Sequence, residues 1–330
     1  MTELKPTVEQ PSPRGRRQVR DRRRSTPRAK GMRAGRLPYL LIVPAVAVLV
    51  VVVAWPLLKI VTLSLQKQDS SKYALFHGGG GTKFVGLQNF THVLGDATFW
   101  AVLGRTFVFT AFNVALSLMI GMSLAVLLNR VSKWARVILI VVLLFVWAVP
   151  STVSTQVFYW LFSNQYGAVN YLLDQIPGVH MHGHDWFADP HQGLAVISAV
   201  VIWGAIPLLA ISLHAGITQI PKEIQEAAYC DGASAWQTFR SVTFPFLKPL
   251  IVILTTLSVI WDFGVFNQIW FMRNGHPEPG YQTIGIYMYS NGIGSSHYNL
   301  GATTGVLMMI CLLFVMVFYI RQLFRIGDAE

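Results

Sequence analysis

Glu226-Ala-Ala-Tyr-Cys-Asp231-Gly232-Ala-Ser-Ala-Trp-Gln-Thr-Phe-Arg240-Ser-Val-Thr-Phe-Pro245 is a polar stretch between two long apolar runs. Its local chemistry predicts a helix, a turn and a second helix. Pro221 suits the first position of a helix, where its missing N–H costs nothing, and residues 222–229 are good or tolerable helix formers. Gly232 takes the left-handed conformation that ends a helix without steric penalty, and Ser234 with Gln237 three residues later forms a capping box that starts the next one. Pro245 and Pro249 then mark the start of the following apolar run. A helix lying on lipid wants a cationic polar face opposite bulky apolar residues. This one offers small Ala227 and Ala228 with acidic Glu223, Glu226 and Asp231, which suits insertion into a protein groove that holds a cation.

Outward from that loop, 219–246, the chain is apolar. Of its 330 residues 53% are hydrophobic and only 12% charged, and mean hydropathy is +0.48. Those values describe an integral membrane protein rather than two soluble domains. A bilayer core about 30 Å thick needs roughly 20 mostly apolar residues per helix, because backbone polar groups there must be satisfied internally. Six segments meet that test, approximately 37–65, 100–129, 135–162, 193–217, 247–272 and 301–324. The expected fold is all-α, with six transmembrane helices in a domain spanning 37–325 and a short tail, 326–330.

Residues 1–36 hold 12 Lys or Arg against three acids and almost no apolar side chains. That composition describes a disordered basic arm drawn to anionic membrane lipid, not a nucleic-acid-binding domain. With the N-terminus inside, the cytoplasmic parts together with the span ends next to them carry 20 cations and the outer loops four. The positive-inside rule therefore places both termini and the 219–246 loop in the cytoplasm of a multi-pass protein of the plasma membrane. The apolar run from Leu37 past Trp55 is too long for a cleaved signal core. Cys230 in the cytoplasmic loop and Cys311 in the last span predict no disulfide framework.

Two motifs do not survive inspection. His77-Gly-Gly-Gly-Gly81-Thr-Lys83 has Thr before Lys and no helix-forming run after it, so it is no phosphate-binding loop, and the Gly-x-Ser-x-Gly turn of a hydrolase is missing. Any ATP, with its magnesium, is handled by another chain, and no cofactor or catalytic residue is expected in this one. His180, His182, His184 and His191 crowd an outer loop with Asp185 and Asp189, but alternating histidines on an irregular loop do not fix a tetrahedral metal site. No metal is expected there.

Asp262 lies inside the fifth apolar run, in Trp261-Asp-Phe-Gly-Val-Phe266-Asn267-Gln268-Ile-Trp270. An ionisable group at a helix centre costs about 2.5 to 3.5 kcal/mol on insertion scales, so it faces either another helix or a wet pathway. Both readings stay open. Sugars are recognised by carboxylate or amide groups for their hydroxyls and by aromatic faces for their apolar sides, and Trp261, Asp262, Phe266, Asn267, Gln268 and Trp270 supply both. Asn113, Gln156 and Trp203 are weaker candidates that suit helix packing as well. Pro150, Gly204 and Pro207 break or bend the third and fourth spans. An alternative is a proton-coupled secondary transporter with Asp262 as proton carrier.

The opening stretch resembles the EAA signature of permease subunits from binding-protein-dependent ABC importers. The matching positions are Glu226, Ala227, Ala228, Gly232, Val242, Phe244 and Pro245, with Phe244 where Leu is usual. The resemblance covers about 37–325. It implies that 219–246 carries a coupling helix seated in a cleft of a cytoplasmic ATPase, with Glu226 as anchor, Ala227 and Ala228 allowing close approach and Gly232 giving the bend. It also implies a second permease, two ATPases, and an extracellular substrate-binding lipoprotein. Phe266 to Trp270 resembles the Phe-Asn/Asp-x-Ile-Trp/Tyr pattern of maltose- and glycerol-phosphate-type permeases, but Arg273-Asn-Gly-His-Pro277 departs from the Thr-Gly-Gly-Gly-Pro run that often follows it. The arginine-rich arm resembles that of actinobacterial disaccharide permeases, mycobacterial trehalose importers among them.

Overall fold

A computed structural model describes residues 37–67 and 83–327. The basic arm at 1–36, most of the glycine-rich loop and the last three residues lie outside the described residues. By internal contacts the chain divides into two units, ending and beginning at Ala54 and Trp55. In the first, α1 (Leu37–Leu49) contains Pro44 and passes into a π-helical turn, Val50–Ala54. Leu41 to Val53 expose Val and Leu side chains, the surface of a helix solvated by lipid.

The second unit opens with α2 (Trp55–Ser64) and a two-residue strand, Gln66–Lys67, paired antiparallel with Lys83–Phe84. It continues with α3 (Gln88–Gly95), α4 (Ala97–Arg130), α5 (Lys133–Ala148), α6 (Ser151–Leu161), α7 (Ala168–Asp174) and α8 (Pro190–Thr218). Then come α9 (Lys222–Cys230), α10 (Ala235–Thr238), α11 (Phe244–Phe263), α12 (Asn267–Met272), α13 (Ile284–Tyr289) and α14 (Tyr298–Gly327). Helix starts follow local capping chemistry: Asp96 accepts from the Thr98 N–H at 2.8 Å, and Asp189 accepts from the His191 N–H at 2.6 Å just before Pro190.

Among the described residues five helices are long and apolar enough to cross a membrane, and the third span is broken at Pro150, as that residue predicts. Instead of one helix over 135–162, α5 and α6 meet at Val149-Pro150 with a bend of 96°. Pro150 lacks the N–H that would continue the ladder, and its ring disfavours helix in the residue before it. Gly204 and Pro207, by contrast, lie within the uninterrupted α8. The fifth span is also broken, since α11 stops at Gly264 and α12 starts only at Asn267.

Close packing of α4 on α8 organises the core. A Cβ at Gly121 would stand 2.7 Å from the Leu209 Cβ and 3.4 Å from the Ala210 backbone N, so only glycine permits this approach. Around it Ala125, Leu209, Leu213, Ile217, Leu247 and Leu254 form one buried cluster. Gly121→Ala is therefore expected to destabilise the fold by about 1 to 3 kcal/mol, because a Cβ and a backbone atom cannot swing aside. Gly104→Ala, where nothing lies within 4 Å, serves as control and is expected to be neutral or stabilising. Thermal unfolding midpoints in detergent check the pair, and equal midpoints would refute the packing argument.

At the end of the unit that holds Asp96, side chains tie the connecting loops together. Arg273 pairs with Glu278, lies 4.3 Å from the Tyr281 ring centre, and helps hold the Glu278 carboxyl below its usual range through their hydrogen bond. Tyr281 donates to the Phe187 carbonyl at 2.7 Å. Tyr287 donates to Asp96 at 2.9 Å, and burial first, then that carboxylate, pushes its hydroxyl up to about 12.

Candidate functional site: a coupling hairpin and a cavity at the broken span

The 219–246 loop folds through its own short-range chemistry. Pro221 takes the N-cap of α9 rather than the first helical position, a shift of one residue that leaves its missing N–H equally harmless. At the other end Gly232 sits at φ +80°. The Ala233 N–H reaches the Ala228 carbonyl and the Gly232 N–H the Tyr229 carbonyl, both at 3.0 Å, which is the double closure of a Schellman motif. Ser234 and Gln237 then close the capping box in both directions, at 2.7 and 3.3 Å. Helix continues from α10 through a π turn, Phe239–Thr243, directly into α11, so the loop and the fifth span are joined without a gap. Pro245 sits in the first turn of α11 and Pro249 inside it.

No residue of α9 is buried. Glu223, Glu226 and Ala227 are exposed, Ala228 is partly covered, and Asp231 and Gly232 stand open at the turn. Among the described residues the single ion pair is Arg273–Glu278, so the acids of this hairpin meet no cation from those residues. Tyr229 and Trp236 are 55% and 68% exposed, placing large aromatic faces beside the acidic surface. Exposed aromatic rings beside acids that meet no cation among the described residues are chemistry suited to a protein partner.

At the break in the fifth span the structure brings together most of the remaining candidates. Trp261, Asp262, Phe266, Asn267 and Gln268 line one cavity of about 570 Å³, with Trp203 and Gly204 of α8 on the facing wall. Ser151 and Ser154, at the start of α6, complete it. Both helix breaks thus open onto the same space. Asp262 is buried, 6% exposed, and its Oδ2 has no hydrogen-bond partner among the described residues. A buried lone pair without a partner costs about 1 to 3 kcal/mol, more for a charged group, which a water or a ligand hydroxyl would recover.

Three candidates lie elsewhere. Asn113 is fully buried in α4, and both of its amide atoms lack partners among the described residues, as do Thr110 Oγ1 and Ser117 Oγ on the same helix. Gln156 is exposed on α6 outside the cavity lining. Trp270 stacks on Phe266 at 5.3 Å and meets Tyr289 edge-on at 4.8 Å, so it braces the cavity wall from behind. Ser151 and Ser154 are not among the residues expected there; their three-residue spacing just after Pro150, in an apolar run, is the signal for them in the sequence. In the histidine-rich stretch between α7 and the start of α8, His184 bonds Gln192 at 2.8 Å and Asp185 accepts from the Phe187 N–H, while His180, His182 and His191 are exposed.

A broken-helix membrane bundle with a polar cavity at the breaks and an exposed helical hairpin is the membrane-spanning part of a transporter. The chain belongs to the family described as the binding-protein-dependent transport system inner membrane component, which it matches over residues 117–326. It is 37% identical over 299 residues to the diacetylchitobiose uptake system permease protein DasB of Streptomyces coelicolor, covering 90% of each chain. To the trehalose/maltose transport system permease protein MalF of Thermococcus litoralis it is 29% identical over 289 residues, covering 88% of this chain and 94% of the other. Its fold is similar to a chain of a bacterial ABC transporter that imports the acidic polysaccharide alginate, with a TM-score of 0.70 at 18% identity over 88% of this chain and 95% of that one. The family is one of permease subunits rather than enzymes, and membership weighs against the proton-coupled alternative.

Proposed function

We propose that this chain is one of two permeases in an ATP-driven importer of a neutral sugar, a disaccharide in size. One observation carries the sugar reading: a cavity at the double helix break that combines a buried carboxylate whose Oδ2 has no partner among the described residues, two amides and the aromatic faces of Trp203, Trp261 and Phe266. Carboxylate and amides match hydroxyls, and the rings match the apolar faces of a pyranose. The names of the diacetylchitobiose and trehalose/maltose relatives support the same class.

In this reading both termini and the hairpin face the cytoplasm of a bacterial cell. Two ATPases bind ATP and magnesium, close on each other, and carry the seated hairpins with them, which turns the paired permeases outward to a binding protein that delivers sugar. Hydrolysis resets the pair. ATP biases the equilibrium because the ATPases grip the hairpin differently in their open and closed forms, and the coupling free energy enters through Glu226, Ala227, Ala228, Asp231 and Gly232. Pro245 anchors the hairpin to α11, whose far end carries Asp262, so a tilt at the hairpin reaches the cavity through one helix.

The test is uptake by cells expressing the chain with its partner subunits. Labelled diacetylchitobiose, trehalose and maltose are offered to wild type and to cells whose ATPase carries a disabled phosphate-binding lysine. Uptake of at least one sugar is expected to vanish in the second strain and to persist when a protonophore collapses the proton gradient. The opposite pattern, or uptake of none of these sugars, would overturn the reading.

A further inference from the structure

A second cavity, of about 340 Å³, lies in the connection between α6 and α8 and shares no residue with the one at Asp262. Its floor is built. Asn170 is 5% exposed, donates to the His184 carbonyl at 2.9 Å and accepts from the Trp186 indole N–H. Trp186 in turn meets Phe162 edge-on at 5.5 Å. The Asp174 carboxylate accepts from the Met181 N–H at 3.2 Å, pinning the opposite wall. Gly167 makes the tight turn, since a Cβ there would fall 2.2 Å from the Ser163 carbonyl oxygen.

On this rigid floor the rim is the reverse of a packed surface. Tyr166 and Tyr171 are 88% and 68% exposed, and the side chains of Asn164, Gln165 and His182 are exposed beside them without hydrogen-bond partners among the described residues. Phenol rings set around neutral amides, one imidazole and one carboxylate present stacking faces and directed hydrogen-bond groups together. The concavity falls within the range of small-ligand sites, about 300 to 1,000 Å³, rather than the flatness of a protein-docking face. No Lys or Arg occurs between residues 163 and 189, so the site offers nothing to a phosphate or an acidic sugar. Its place is also informative. The loop joins the N-terminus of α8 while the coupling hairpin follows its C-terminus, so the two sit at opposite ends of a 29-residue helix, about 43 Å long.

We propose that Tyr166, Tyr171 and the amides between them form a capture subsite for neutral oligosaccharide at the outer mouth of the permease, separate from the cavity that carries Asp262. It raises the local concentration of sugar where a delivered ligand leaves its carrier. The proposal rests on the sugar-importer reading, but it is tested without transport. The full chain in lipid nanodiscs is titrated with diacetylchitobiose, maltose and trehalose, with saturation-transfer NMR as the readout. At least one sugar is expected to bind, with Tyr166→Ala/Tyr171→Ala weakening binding about tenfold or more. Tyr166→Phe/Tyr171→Phe, which keeps the rings, is expected to retain most of it. Both tyrosines are exposed, so thermal midpoints should not move. No binding of any of the three sugars by wild type would overturn the proposal, as would wild-type affinity in the double alanine variant. Intact sugar binding combined with loss of an extracellular binding protein's association would also overturn it, and make the loop a docking face. Failure here with ATP-dependent uptake intact leaves the importer reading standing; loop binding without uptake in any strain does the reverse.

Discussion

Gly232→Pro is expected to leave the protein inserted at normal level in the membrane and to abolish transport. Its φ of +80° lies far from the −65° or so that a proline ring imposes, and its N–H, which closes on the Tyr229 carbonyl, would be lost with the substitution. Without that closure the direction in which α10 leaves α9 is no longer set, so Glu226 and Ala227 would not be presented together with Trp236 to the proposed ATPase. Gly232→Ala provides a graded comparison. A Cβ there meets nothing within 4 Å, so alanine adds only the left-handed backbone strain, about 1 to 2 kcal/mol, and transport should fall without vanishing. Glu226→Lys changes no packing, because the side chain is exposed, yet it reverses the charge offered to the partner and should also bring uptake to background. Membrane fractionation, uptake rate and co-purification of the ATPase read these outcomes. Normal uptake by Gly232→Pro or by Glu226→Lys would remove the hairpin from the coupling pathway.

Why the hairpin was legible in the sequence and the cavity only partly so follows from the range of the interactions involved. Pro221, Gly232, Ser234 and Gln237 act on atoms within six residues of themselves, so residue type and spacing suffice to predict the Schellman closure and the capping box. Hydropathy located the long helices for a similar reason, as a sum over one continuous segment. Hydropathy does not register the interruptions, because 135–162 and 247–272 stay apolar across Pro150 and Gly264; residue type marks the first of them and not the second. Nor does hydropathy rank polar residues within spans. Asn113, Gln156 and Asp262 all interrupt apolar runs, but whether each faces a cavity, a neighbouring helix or the outside depends on the helix face it occupies. Where apolar residues surround the whole helix, as on α8, no stripe marks that face. Trp270 was chosen for its ring, and the structure uses the ring to hold Phe266 in place. Ser151 and Ser154 reach the cavity only because the chain turns by 96° before them; Pro150 marks the place of that break in the sequence but not its angle.

Asp262→Ala separates the two roles that the sequence left open for this carboxylate, because they predict opposite signs for stability. A carboxylate that exists to fix packing is hydrogen-bonded to another helix, and removing it leaves a buried partner unsatisfied and destabilises the protein by about 1 to 3 kcal/mol. The Asp262 Oδ2 has no partner among the described residues and lies at a cavity, so removing it relieves a desolvated group and should leave thermal stability equal or raised. Uptake should respond the other way. A hydrogen bond from a sugar hydroxyl to a charged acceptor contributes about 1.5 to 3 kcal/mol, so the sugar concentration for half-maximal uptake should rise roughly 10- to 100-fold in the alanine variant. Asp262→Asn keeps an acceptor oxygen without the charge and should fall between the two. Ser258→Ala, one turn earlier on α11 and buried but outside the cavity lining, is expected to change half-saturation less than threefold, the scale of a minor neutral contact. A fall in unfolding midpoint with unchanged half-saturation for Asp262→Ala would assign the carboxylate to packing. Raised half-saturation with an undiminished midpoint assigns it to the substrate, since a residue that costs stability while buried and partnerless is retained for what it binds.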